Sequence, residues 1–193
     1  EAKGPAETVI LFGLAGQIEN KARKSRSYMC PALLRRPRSV AKMTESVHRR
    51  WRVCLPEILS DAGYRTAYLQ AAPLAFMLKD RFMPEIGFED VDGHDWFAEA
   101  NARSEWGIDD RAFFSQALEK VAALQRSGDP WFLTLLTVGT HHPFVVPESF
   151  DHPGGDRARA FGHLDLALDE FLGALDELGV RDDTLVLIVS DES

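Results

Sequence analysis

The sequence predicts an α/β fold, and three observations carry that expectation. Short apolar runs with β-branched residues alternate with amphipathic segments. Trp131–Val138 and Thr184–Ser190 are apolar on both faces, the pattern of parallel strands covered by helices on each side. No internal repeat or low-complexity segment interrupts the alternation. With 193 residues, 45% of them hydrophobic, the chain has the core of one domain and is short for two. The expected unit is a single domain over residues 1–193.

The elements follow in order. Thr8–Leu14 (TVILFGL) reads as a buried strand. Residues 21–52 carry a basic segment broken by Pro31 and Pro37, without a clear period. Cys54–Asp61 reads as a short helix closed by Gly63, and Tyr64–Gln70 as the next strand. A brief helix is expected over 74–81, then a glycine-containing loop over 84–108. Asp109 is a good N-cap. Phe113, Ala117, Val121 and Leu124 after it recur at spacings of four, four and three, one face of a helix. Ser127-Gly128-Asp129-Pro130 ends that helix and Trp131–Val138 follows as a strand. Arg157–Gly179 is a long amphipathic helix with the stripe Phe161, Leu164, Leu168, Phe171, Leu175 and Leu178. Asp182-Asp183 then turns the chain into Thr184–Ser190.

Charge is unevenly placed. The net charge is −8, yet half of the 22 basic residues, with a single acid, Glu45, lie between Lys21 and Arg52. A basic block in an acidic chain suggests contact with anions; the plainer alternative is a solvated helical face. Aromatic residues interleave with it only at Tyr28 and Trp51, so nucleic acid is not an expected partner. No apolar run reaches the roughly 18 residues of a membrane span, and no signal peptide opens the chain. Both ends read as cut from something longer. Two cysteines, Cys30 and Cys54, are too few for a disulfide framework or a Cys-based zinc site.

Ligands in an open α/β sheet bind at the carboxyl ends of the strands. If Trp131–Val138 and Thr184–Ser190 are parallel neighbours, one end delivers His141 and His142 and the other Asp191 and Glu192. Imidazoles and carboxylates together suit a divalent metal, or acid–base chemistry on an ester. Pro143 stiffens the turn that aims the histidines. The plainer alternatives are ordinary loop histidines, and acids that cap a following helix. Gly13-Leu14-Ala15-Gly16 fits no dinucleotide or Walker pattern and reads as a close-packed turn. No G-x-S-x-G elbow is present. His94 with Asp92 and Asp95 reads as a polar loop. Trp96, Trp106 and Trp131 read as packing residues.

Five blocks carry a resemblance. LPEILSDAGYRTAYLQ, KDRFMPEIGFEDVDG, WGIDDRAFFSQALE, PWFLTLLTVGTHHPF and DDTLVLIVSDES occur in that order across Leu55–Ser193. The series resembles the sulfatase-like hydrolases of the alkaline phosphatase superfamily, in particular the lipoteichoic acid synthase-like and phosphoglycerol transferase-like branch. The resemblance implies an alkaline phosphatase-like α/β sandwich around a mainly parallel sheet, truncated at its C-terminus. It implies a divalent metal (Mn, Mg, Ca or Zn), a Ser or Thr nucleophile, and transfer or hydrolysis of a phosphate or sulfate ester. Its partners would be anionic esters: a phospholipid headgroup, a glycan or a sulfate ester. It further implies a membrane anchor in the full-length protein, with the domain outside the cytoplasm or in the periplasm.

By that match His141 contacts the anionic group or protonates the leaving oxygen, with His142 beside it on the substrate, and Asp191 is a metal ligand with Glu192 next to it. The nucleophile segment corresponds to ARKSRSY. Lys24 falls where relatives place a threonine; a one-residue shift makes Ser25 the nucleophile, with Arg23 or Lys24 holding the anion. Leu14-Ala15-Gly16 replaces an expected acidic ligand, and Glu192 an expected histidine. These departures leave a second reading open: an inactive member that binds an anionic lipid or glycan.

Overall fold

The computed structural model describes residues 54–190 and the backbone of residues 8–14. Five parallel strands form the main sheet: β1 (Thr8–Leu14), β2 (Arg65–Gln70), β3 (Asp90–Asp92), β6 (Trp131–Thr137) and β7 (Thr184–Ser190), in the spatial order β3-β2-β6-β1-β7. A two-stranded antiparallel ribbon, β4 (Arg103–Ser104) with β5 (Gly107–Ile108), stands apart from it. The helices are α1 (Leu55–Asp61), α2 (Lys79–Glu85), α3 (Asp110–Ser127) and α4 (Asp156–Glu177).

Alternation along the strands splits the core into two layers. Trp131, Leu133 and Leu135 of β6, with Ala67 and Leu69 of β2, face Phe113, Phe114, Ala117 and Val121 of α3 and Leu164, Phe171 and Leu175 of α4. Tyr68 and Phe132 face the other way, onto Phe82 and Met83 of α2, Phe88 and Cys54. A strand whose successive side chains enter two apolar layers must be apolar throughout, which is why these runs read as they do. The α/β expectation therefore holds, with helices on both faces.

Three details depart from the sequence reading. The strands β6 and β7 are parallel but not neighbours: β1 lies between them, paired with both. The segment 84–108 is not plain loop, since it holds the end of α2, the strand β3, a 3-10 turn at His94–Trp96 and the ribbon. Strands of two or three residues are too short to show a period. The stretch expected as one short helix is a 3-10 turn, Phe76–Leu78, followed by α2, with Met77 and Leu78 at positive φ between them.

Nor is every apolar stripe buried. On β7, Leu185, Leu187, Ile188 and Val189 are 41–56% exposed. Phe161 and Leu178, the ends of the α4 stripe, are exposed as well, while Leu164, Phe171 and Leu175 between them are buried. Among the described residues no helix is long and apolar enough to cross a membrane.

Candidate active site

The parallel register brings three strand ends level. Leu14 of β1 stands beside Thr137 of β6 on one side and Ser190 of β7 on the other. Neighbouring strands lie about 4.8 Å apart, so the chain leaves the sheet after Thr137 and after Ser190 at points roughly 10 Å from each other on one edge. His141 and His142 follow on the first of these exits. Asp191 and Glu192, which continue the second, lie outside the described residues, as do Arg23, Lys24 and Ser25.

The loop after β6 is a tight turn. The His141 N–H donates to the Val138 carbonyl at 3.0 Å, and the Phe144 N–H to the His141 carbonyl at 2.8 Å. The His142–Pro143 peptide is cis, and Phe144 takes a left-handed backbone at φ 62. A bulky residue there costs about 1 kcal/mol or more, so tertiary contacts must hold the turn. His141 is half-buried and His142 exposed. The Nδ1–H of His141 donates to the His142 carbonyl at 2.7 Å. A carbonyl can only accept, so that bond sets the neutral tautomer and leaves Nε2 as the basic nitrogen.

Beside this imidazole lies Trp106. The two ring centroids are 3.9 Å apart at 42°. Trp106 also meets Phe76 edge-on at 5.6 Å, and its Nε1 is buried without an acceptor among the described residues. Trp106 thus packs, as the sequence reading expects, and it packs against His141. Gly107 places it: this residue adopts φ 146 against the Ala71 carbonyl, where a Cβ would collide. A tryptophan–glycine pair three residues ahead of an N-cap is visible in the sequence, but its contact with His141 is purely tertiary. Trp96 and Trp131 do pack, and His94 pairs with Asp95 in a polar loop, as expected.

A small depression, open to solvent, is lined by Ser104, Gly107, Asp109, Val138, Gly139 and His141. Asp109, fully buried, is saturated with donors: Asn101 N at 2.7 Å, Ala102 N at 2.9 Å, Ala112 N at 3.0 Å and Asn101 Nδ2 at 3.3 Å. It is the N-cap of α3, as the sequence predicts, and a structural carboxylate. His163 of α4 sits 3.9 Å from it, and burial lowers that imidazole's pKa, partly offset by the Asp109 charge.

Asp110 follows, with Oδ1 accepting the Gly139 N–H at 3.1 Å and Oδ2 buried without a donor. Burial pushes its pKa up to about 7; the Gly139 amide opposes the shift, the charge of Asp109 adds to it, and the Val138 amide opposes it too.

A divalent metal needs several converging donors. Among the described residues no three His, Cys, Asp or Glu side chains form such a group. The expected ligands, Asp191 and Glu192, fall on the undescribed continuation of β7.

A family model described as Sulfatase matches residues 23–193, most of the chain. The chain belongs to the sulfatase family. This sulfatase-family chain is 30% identical over 150 residues to phosphoglycerol transferase I of Xanthomonas axonopodis pv. citri (strain 306), covering 72% of the chain and 21% of that relative. It thus spans about a fifth of the length of that protein. Among solved structures it is similar to the lipoteichoic acid synthase LtaP from Listeria monocytogenes, with a TM-score of 0.75 and 19% identity over 96% of the chain and 56% of the other. A protein in the alkaline phosphatase superfamily from Vibrio parahaemolyticus gives 0.74 and 16%, over 98% and 55%. At these identities the structural likeness shows the fold: the sulfatase-family chain has the alkaline phosphatase-like architecture that its sequence blocks implied, over a little more than half the length of those structures.

Proposed function

We propose that this sulfatase-family chain is the nucleophile-bearing part of an extracytoplasmic, metal-dependent transferase or hydrolase of phosphate or sulfate esters, of the phosphoglycerol transferase kind. The observation that carries the proposal is the His141 imidazole. Its Nδ1 is tied to a carbonyl, its Nε2 is left basic, and it is seated against Trp106 where β6 leaves the sheet. A ring so fixed can hold an ester oxygen or return a proton to a leaving alkoxide. His142, exposed one residue on, would touch the outer part of the substrate. Ser25 would supply the hydroxyl that forms the covalent ester, and Arg23 and Lys24 would neutralise the anion. A divalent metal, if held by Asp191 and Glu192, would lower the pKa of that hydroxyl and offset charge on the transferred group. One sulfatase-like domain over residues 1–193 and a membrane anchor in the full-length protein belong to the same proposal.

The test is turnover of an aryl phosphate diester and an aryl sulfate by the full-length protein with added manganese. His141→Ala should lower kcat at least 100-fold; a variant as fast as the parent removes His141 from the mechanism.

One observation favours a second reading. Leu14 at the end of β1 is level with Ser190, and the next residue in the sequence is Ala15, whose methyl group is no metal ligand. A protein that keeps the depression and the basic segment but lacks a full ligand set would bind an anionic lipid or glycan without turnover. Titration calorimetry with manganese on the full-length protein separates the two: tight binding supports the enzyme, and absence of a heat signal supports the binder.

A further inference from the structure

The proposed mechanism leaves the buried carboxylate of Asp110 unused. Asp110 is fully buried in the first turn of α3, and its Oδ1 accepts the Gly139 N–H at 3.1 Å. Gly139 has its Cα pressed on the same carboxylate, so that a Cβ would collide with it. Two residues later comes His141. A helix and a strand end are thus joined at the root of the histidine loop, by a bond that no loop residue makes for itself.

We propose that Asp110 is a positioning residue: its carboxylate fixes the backbone at Gly139 and, through the turn that follows, the place of the His141 ring. This rests on the catalytic reading of His141 given above. An ionised carboxylate is the stronger acceptor, so the grip on Gly139 tightens when Asp110 loses its proton. Burial holds that event up near pH 7, where it can modulate turnover. The charge that acts on Asp110 is that of Asp109, the N-cap of the same helix, and Asp109 in turn has His163 of α4 at 3.9 Å.

The experiment compares the full-length protein with its Asp110→Asn variant, which keeps the shape and removes the charge. In the parent, kcat should rise as pH passes through about 7. In the variant that rise should vanish, leaving kcat at pH 8.5 lower by about 10-fold with KM within about twofold, and no fall in melting temperature. A variant with parental kcat and an unchanged pH profile overturns the proposal. So does a loss of kcat that merely follows a loss of folding.

An independent measurement needs no variant. The Gly139 amide resonance should titrate with a midpoint near 7, carrying the His141 amide with it; a Gly139 signal that is flat from pH 5 to 9 overturns the link. If His141→Ala retains full activity, the catalytic reading falls, and the resonance measurement still decides whether Asp110 holds the loop.

Discussion

Asp110 and His163 make stability respond to pH in opposite senses. The folded protein raises the Asp110 pKa from 3.8 to about 7, so between those values it holds a proton that the unfolded chain has released. Its contribution is fully present below pH 3.8 and is lost as pH rises through about 7, a change on the order of a few kcal/mol. For His163 the folded pKa lies below the ordinary 6.5, so its contribution is present above 6.5 and lost as pH falls through the folded value. Urea unfolding across pH 4 to 8 should show that Asp110→Asn removes a decline toward high pH, and His163→Gln a decline toward low pH. An unchanged profile in both variants contradicts the burial argument. The sequence offers His141 as a candidate because it opens a His-His-Pro run just past a strand end. Asp110 and Trp106 carry no such signal, because an acid in a first helical turn and a tryptophan in a loop have ordinary explanations. What joins them to the histidine loop is a contact made some 30 residues away in the chain.

At the level of elements, the N-terminus of α3 is a densely bonded junction. Asp109 accepts four hydrogen bonds there, from two separate stretches of chain, and α3 packs its Phe113 and Phe114 against the sheet and α4. Hydrogen bonds to a buried charge contribute about 1.5 kcal/mol or more each, and a lost cap about 1 kcal/mol. Asp109→Ala should therefore destabilise by about 3 kcal/mol or more, read as a lower urea midpoint with an unchanged slope. Arg111→Ala, which removes a half-exposed pair with Glu170, should cost about 1 kcal/mol at most. These helices were legible in the sequence because their caps and periods are local signals. The strand β3 was not. Its three residues join the sheet beside β2 because Asp90 and Asp92 meet Lys120 of α3 at 3.1 and 2.7 Å, a pairing across 28 or 30 positions.

Across the whole molecule, the exposed side chains of β7 set the solution behaviour. Leu185, Leu187 and Val189 share one face of an edge strand and are 41–56% exposed. An apolar edge of that kind favours association. Prepared as these 193 residues, the protein should scatter light at micromolar concentration, and Leu185→Lys with Leu187→Lys should suppress the scattering while costing less than about 1 kcal/mol of stability. Equal scattering from both samples contradicts that view. The sheet order has a consequence for biosynthesis as well. Among the described strands β1 is made first, yet both its partners, β6 and β7, are encoded more than a hundred positions later. At about 5–20 residues per second the nascent strand waits on the order of ten seconds with both edges bare.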